Sequence, residues 1–499
     1  MTNLSEVACR NASGQKSQFL QLNIDADESL PLYRRVTNAI KDCIESGRLA
    51  PGDCLPSTRQ LASILGVARI TAVNSYDLLI TQGYLKTAVG RGTFVSDSFR
   101  RSSAAAPQIA LSRARTPVAE SLSSYAVQLL QLPALTSTSA DQAGLHFGAP
   151  PAELLPVKQW RRLLLQQCAG GQVEQNGFDV MGYQPLREAL AAYLKRTRNL
   201  NCSADMIFLF SNSQQAVNLV SRLLIDQSDT VALENPGFVF ASKTMQSIGA
   251  QIEPIAVDHQ GMVIAQLNQL SNCKLAYVTP SHQDPTGAVM SQQRRYELLE
   301  WAARNKAYII EDDYDCEYNY GNVPLAALQG LDRDQSVIYI SSFWKTLYPL
   351  TSMGFMAAPP HLIPLIKRAK LLSERSFSAL DQITLCRFIN EGHLESHIAR
   401  TRKILATRRQ QLIFALTDSL GKRVQITKHG SGVHIITQFS LALSDEEILT
   451  TAKNAGLAMV STTPYYLANP KPGEFLISFS GGSSIENLSL AVSEFSKQL

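Results

Sequence analysis

The sequence predicts a multidomain chain of two fold classes: a small α+β unit near the N-terminus, then a large α/β unit on a mainly parallel sheet. Three observations carry this. Between Leu30 and Val95, three stretches of helical spacing precede two short β-rich runs. From about Leu145, strand-like runs ("MIFLF", "TVALE", "KLAYVTP", "AYIIEDD", "SVIYI") alternate with longer amphipathic stretches, the rhythm of βαβ units. Between them lies "SDSFRRSSAAAPQIALSRARTPVAESLSS", rich in Ser, Ala, Pro and Arg and without periodicity, as in a flexible linker. The expected divisions are a loose tail over 1–24, a small domain over 25–97, a linker over 98–143 and a large domain over 144–499, with a smaller C-terminal subdomain from about 375.

Composition narrows the function classes. Apolar residues make up 45% and charged residues 18% of the 499, ordinary for a globular chain with at least one large core. The net charge of +4 excludes a general polycation, so contact with nucleic acid has to come from a local patch. The eight cysteines are scattered, with no CxxC and no Cys/His cluster at zinc spacing, which points to reduced thiols. The polar N-terminus lacks a hydrophobic signal core, and no run approaches the length of a membrane span. A cytoplasmic protein is expected.

In the small unit, Val36, Ala39, Ile40, Cys43 and Ile44 have helical spacing, closed by Gly47. A second helix has Ser57 or Thr58 as its N-cap and Gly66 as its stop. A third runs from about Ile70 to Gln82, before Gly83. "GYLKTAVGRGTFV" then reads as a two-stranded hairpin with a Gly-Arg-Gly tip. Three helices with a tight second-to-third turn and a β-wing make a winged helix-turn-helix. The unit is neutral overall, with eight basic and eight acidic residues from Asp25 to Asp97. From Ser57 to Arg91, however, Arg59, Arg69, Lys86 and Arg91 face only Asp77, and Arg100 and Arg101 follow.

In the large unit, chemically capable residues stand where predicted strands end, which is where parallel α/β sheets bind ligands. "FSNSQQAVNLVSRLL" puts small polar residues at a strand-to-helix junction, where free N–H groups attract an anion. "ENPGF" places Phe238 after a turn, and "VTPSHQDPTG" is another strand-end loop. "IIEDDYDCEY" gathers acids around Tyr314. "SSFWKTLYP" sets Lys345 in an apolar, aromatic setting just past "SVIYI". A lone lysine there is ordinarily one that snorkels. Burial would instead lower its pKa and favour the neutral amine that forms Schiff bases.

The run from "LPLYRRV" through "LPSTRQLASILGVARITAVNSYDLLITQGYL" to "GRGTFV" resembles the GntR-type DNA-binding domain over about 65 residues. The order of the later motifs resembles the aminotransferases of fold type I, which use pyridoxal 5'-phosphate (PLP). Together the two halves resemble the MocR subfamily of GntR-type regulators, with "SHQDPTGAVMS", "EDDYDCEY", "FWKTLYP" and "EGHLESHIARTR" matching its pattern. The resemblance implies a DNA-binding transcriptional regulator rather than an enzyme. It implies that Arg59, Arg69, Thr71 and the wing residues Gly90, Arg91 and Gly92 approach double-stranded promoter DNA. It also implies that Lys345 forms an aldimine with PLP, that Asp312 pairs with the pyridine nitrogen, and that Tyr314 donates to the ring hydroxyl oxygen. Phe238 would stack on the ring, and Ser213, Gln214 and Ser342 would hold the phosphate. The implied assembly is a domain-swapped homodimer, and the implied effector is PLP, a related vitamer or an amine.

The chain departs from that pattern in several places. Val73 stands where some relatives carry a further DNA-contacting Arg. Ser352 stands where an Arg seven residues after the lysine grips the phosphate, which loses a charge-assisted pair. Asn212 replaces a phosphate-loop glycine, and Phe178 replaces a Tyr that reaches the phosphate across the dimer. Phe240 and Leu476 occupy positions where amino-acid-binding relatives place carboxylate-holding arginines. A working aminotransferase for ordinary amino acids is therefore disfavoured. The alternatives are such an enzyme, or a repressor that uses the domain only as a scaffold.

Overall fold

A computed structural model describes residues 22, 24, 29–88, 90–97, 122–132, 148–169, 179–320, 326–427, 432–480 and 485–499. Most of the expected tail, Arg100, Arg101, most of the expected linker and Phe178 lie outside the described residues, but Leu22, within the expected loose tail, is buried in the core of the first unit with Ile24 packed against it. The chain divides into two compact units, Met1–Glu120 and Ser121–Leu499. Among the described residues no helix is long and apolar enough to cross a membrane.

The first unit comprises α1 (Leu32–Glu45), β1 (Cys54–Leu55), α2 (Thr58–Leu65), α3 (Arg69–Thr81), β2 (Leu85–Ala88) and β3 (Gly92–Val95). Its core includes the first-helix residues read from periodicity (Val36, Ala39, Ile40, Cys43 and Ile44, all buried), joined by Leu61, Ala72, Leu79 and Val95, each fully buried. Ser57 proves to be the cap of α2. Its hydroxyl accepts from the Gln60 N–H while the Gln60 side chain accepts from the Ser57 N–H, closing a capping box. Gly66 ends the helix at φ 65°. The Ser75 hydroxyl on α3 donates to the Tyr33 carbonyl and so ties α3 to α1. The expected two-stranded wing is a three-stranded sheet, because Cys54 and Leu55 pair with Phe94 and Thr93. A two-residue strand is too short to show a period in sequence.

The second unit opens with α4 (Ser124–Gln131), inside the segment expected as a linker. Ser123 caps this helix, and the Arg222 guanidinium lies 4.5 Å over the Tyr125 ring. After α5 (Gln184–Arg198) comes an eight-stranded sheet of β4 (Ile207–Phe210), β5 (Thr230–Asn235), β6 (Gln251–Asp258), β7 (Gly261–Met262), β8 (Cys273–Val278), β9 (Tyr308–Asp312), β10 (Val337–Ser342) and β11 (Gly354–Ala357). Its order is β4-β11-β10-β9-β8-β5-β6-β7. From β10 to β6 all neighbours are parallel, β11 runs antiparallel to both β10 and β4, and β7 runs antiparallel to β6. All five strand-like runs quoted above are in it. The near-continuous apolar runs follow from burial on both faces. Leu209, Tyr339 and Phe355 pack with Leu186 and Leu190 of α5, while Phe208, Ile338 and Met356 pack on the other side with Val217 and Met245. A smaller antiparallel sheet follows, formed by β12 (Val424–Ile426), β13 (His434–Phe439), β14 (Met459–Ser461) and β15 (Glu474–Ser478) in the order β12-β13-β15-β14.

Candidate functional site

Strand register brings the predicted cofactor residues to one edge of the large sheet. Ser342, Gly354 and Phe210 pair across β10, β11 and β4, and Asp312 pairs with Ile340 one strand away. From this row the chain enters α6 (Ser213–Leu224) after β4, α7 (Val239–Ser247) after β5 and the short α8 (Trp344–Leu347) after β10. Ser213 therefore opens α6, Phe238 sits just before α7, and Lys345 lies in the first turn after β10.

Lys345 is half-buried, and its amine lies 5.1 Å from the Trp344 ring centroid and 5.7 Å from that of Tyr314. Burial pushes its pKa down, and the charges of Asp315 and Asp284 oppose that shift. Gly148 explains how the amine fits. A Cβ there would fall 2.6 Å from Lys345 Nζ, so any larger residue would collide with it.

The acids of "EDDYD" have four separate fates. Glu311 accepts from the N–H groups of Leu328 and Gln329 at a helix start. Asp313 pairs with Arg198 at 2.7 Å and accepts from the Tyr339 hydroxyl at 2.6 Å. Burial alone would raise the Asp313 pKa, but Arg198 and these hydrogen bonds hold it below the usual range. Asp315 contacts His282. Asp312 accepts from Tyr277 with one oxygen, and its other oxygen, like Asp315 Oδ1, is buried with no hydrogen-bond partner among the described residues. Burial pushes its pKa up to about 7. A protonated pyridine nitrogen would satisfy that oxygen and reverse the shift. On this test the ring side of the site fits PLP.

Phe238 is half-buried with its ring 5.7 Å from that of Phe240, and it lines a small pocket with Glu234, Tyr277 and Leu467. Tyr277 thus links Phe238 to Asp312. The Phe240 ring lies beside that of Phe238, and Leu476 is fully buried on β15.

The phosphate side is less complete. Asn212 caps α6 through the Gln215 N–H. The Gln214 side-chain amide donates to the Thr244 hydroxyl, so Gln214 offers an anion its main-chain N–H. Ser352 donates to the Ser211 carbonyl, and the Ser211 N–H goes to Glu374. Glu374 in turn pairs with the buried Lys370 at 3.0 Å. Ser342 is buried at the end of β10.

Reading by motif missed His282, Asp284, Asp315, Gly148 and Gly432. The first three lie inside quoted motifs, "SHQDPTG" and "EDDYD", and their residue types were a usable signal. The glycines gave none, because their partners are remote in sequence. In the first unit, Arg59, Arg69, Gly90, Arg91 and Gly92 are exposed and Thr71 is half-buried. Arg69 begins α3, whose opposite face (Ala72, Ser75, Tyr76, Leu79) is buried.

Residues 32–95 match the bacterial regulatory proteins of the gntR family, and residues 140–494 match aminotransferases of class I and II. The probable rhizopine catabolism regulatory protein MocR of Rhizobium meliloti is 31% identical over 461 residues, covering 92% of each chain. The HTH-type pyridoxine biosynthesis transcriptional regulator PdxR of Corynebacterium glutamicum is 26% identical, covering 90% of this chain and 91% of that one. A crystal structure of Pyrococcus horikoshii kynurenine aminotransferase superposes with a TM-score of 0.68 at 25% identity, covering 77% of this chain and 98% of that one.

Proposed function

Because the chain belongs to the MocR subfamily of GntR-type regulators, we propose that its aminotransferase-like domain binds PLP or a related vitamer through Lys345, and that occupancy changes how the winged helix engages promoter DNA. The protein is a transcriptional regulator, and the GntR-type domain implies binding to double-stranded DNA. One observation carries the ligand reading. A lysine with a lowered pKa stands beside Tyr314 at the same sheet edge as an aspartate whose buried oxygen lacks a partner. The cofactor, when bound, supplies an aldehyde and an electron-withdrawing ring. The chain's residues hold it: Lys345 joins the aldehyde, Asp312 takes the ring nitrogen, Tyr314 the ring oxygen, and Phe238 flanks the ring. Ser213, Gln214 and Ser342 take the phosphate. Arg59, Arg69, Thr71, Gly90, Arg91 and Gly92 face the DNA, and two copies of the cytoplasmic chain pair as a domain-swapped homodimer.

Phe240 and Leu476 weigh against an α-amino acid as effector, because neither can hold a carboxylate. A vitamer is favoured, and the relative named for pyridoxine biosynthesis is consistent with that. The test is a gel-shift titration of promoter DNA with and without PLP, beside an absorbance spectrum. Binding should create a near-visible band that borohydride fixes on Lys345, and Lys345→Ala should lose both the band and the PLP-dependent shift. A PLP-dependent shift that survives in Lys345→Ala would refute the role of the lysine. Efficient keto-acid formation from amino acids would instead support an active aminotransferase.

A further inference from the structure

His282 and Asp315 stand beside the site without a role in that reading. Both are deeply buried, at 3% and 1% exposure. His282 Nδ1 lies 2.7 Å from Asp315 Oδ2 and 3.0 Å from the Tyr314 hydroxyl. An ionised carboxylate only accepts, so the proton on Nδ1 is donated to Asp315. A protonated Nδ1 has no lone pair left for Tyr314. The Tyr314 oxygen can share that proton as an acceptor, but its own O–H has to be donated elsewhere. Tyr314 is half-buried with its ring against Lys345, so the acceptor it awaits is whatever fills the space beside that lysine.

The imidazole is held in place from the side of the small sheet. Gly432, at φ +83°, comes so close that a Cβ would fall 2.1 Å from His282 Cε1. Gly432 is itself fixed, its N–H donating to the Tyr318 carbonyl and its carbonyl accepting from the Tyr320 hydroxyl. His434, the first residue of β13, sets its ring 5.8 Å from that of His282 and donates from Nε2 to the Pro285 carbonyl. Burial holds the His434 pKa down to about 3, so it adds no charge at neutral pH. The other ionisable groups around this point are Lys345, Asp284, Asp312 and Tyr465.

We propose that His282 and Asp315 are positioning residues that turn the Tyr314 hydroxyl toward the ring oxygen of the bound vitamer, with Gly432 seating the imidazole. The proposal rests on the PLP reading above. A hydroxyl donating to the ring oxygen draws off negative charge that would otherwise hold a proton on the neighbouring lysine nitrogen. Without that donor, the nitrogen keeps its proton to higher pH.

The experiment has a ligand-free arm and a loaded arm. In ligand-free protein with ¹⁵N-labelled histidine, His282 should appear as the Nδ1–H form at neutral pH. The Nε2–H form would overturn the proposal. In protein loaded with PLP, the pH midpoint of the absorbance band is compared among wild type, His282→Gln, Asp315→Asn, Tyr314→Phe and the His282→Gln/Tyr314→Phe double variant. His282→Gln and Asp315→Asn should each raise the midpoint by about 1 unit, a tenfold change in the proton equilibrium. The double variant should shift no further than Tyr314→Phe alone. Two such variants guard against one failing to fold. Unchanged midpoints, or shifts that simply add in the double variant, would overturn the positioning role while leaving PLP binding intact. Absence of any band in wild type would overturn the PLP reading itself, and this proposal with it.

Discussion

At the scale of single residues, the site is defined by how each acid is paired. Asp312 and Asp313 are neighbours in sequence and opposites in chemistry, because Arg198 reaches one and nothing among the described residues meets the free oxygen of the other. In the fold Asp312 keeps its proton to about pH 7, while in the unfolded chain it loses it near pH 3.9. Its folded pKa is raised, so its contribution to stability is full below about pH 4 and lost as pH rises through about 7. Glu234 and Glu311, each raised to about 7 by burial, act in the same direction. His434 acts oppositely below about pH 6.5, and Lys345, whose pKa burial also pushes down, opposes them at higher pH. Ligand-free protein should therefore melt at lower temperature at about pH 8.5 than at about pH 6.5. Asp312→Asn or saturating PLP should flatten that slope in scanning calorimetry, and an unchanged slope would show that Asp312 is not protonated in the fold. At the other end of the site, Ser352→Arg restores a charged donor to the phosphate side. PLP affinity should rise roughly tenfold in an absorbance titration, with that of unphosphorylated pyridoxal unchanged. An equal gain for both would place the introduced guanidinium away from the phosphate.

At the scale of elements, tight glycines hold the loops in place. Gly354 on β11 carries no Cβ because one would fall 2.3 Å from the Ser213 N–H. Gly354→Ala must therefore push the start of α6 away from the sheet edge. It should weaken PLP binding by about tenfold or more while leaving the small winged unit able to bind DNA. A titration that matched wild type would show that the loop relaxes without loss. The loop after β8 is held differently. The Gln283 amide donates to Glu234 and to the Pro236 carbonyl, and its oxygen accepts from Thr286. That web fixes the backbone on which His282 and Asp284 stand. Much of this was legible beforehand. The five strand-like runs, the three N-terminal helices and the strand-end placement of Asp312, Phe238 and Lys345 all follow from local period and turn chemistry. β1, β7 and the short β14 were not, because two or three residues carry no period, whether the partner is remote, as for β1, or adjacent, as for β7.

At the scale of the whole chain, two compact units divide the work. In the first, Arg59, Arg69 and Arg91 lie exposed within residues 25–97, where basic and acidic residues balance, so a DNA face there would come from placement rather than from the local net charge. Arg69→Ala and Arg91→Ala should each weaken promoter binding. If the contact is to phosphate, the salt dependence of the gel shift should fall by about one charge. A variant that weakens only one promoter sequence, with its salt slope intact, would mark base reading instead. In the second unit, α4 lies within a segment whose composition suggests a tether, yet Tyr125 lies under Arg222. Composition reports the average freedom of a segment, whereas the short apolar stretch "YAVQLLQLPAL" within it reads as a transient helix or docking segment, and the helix forms there.

The sequence by itself determined the two fold classes, the family, and the strand ends at which Lys345, Asp312, Tyr314 and Phe238 stand. Each of these follows from spacing within a few tens of residues or from motif order. Only the tertiary structure decided which acid is free, which glycines make room, and that His282, Asp315 and Tyr314 share one nitrogen. The physical reason is that ionisation, hydrogen-bond partnership and steric room depend on atoms that meet in space from distant parts of the chain. Gly148 against Lys345 and Gly432 against His282 are separated by well over a hundred residues each, and no local pattern encodes such a meeting.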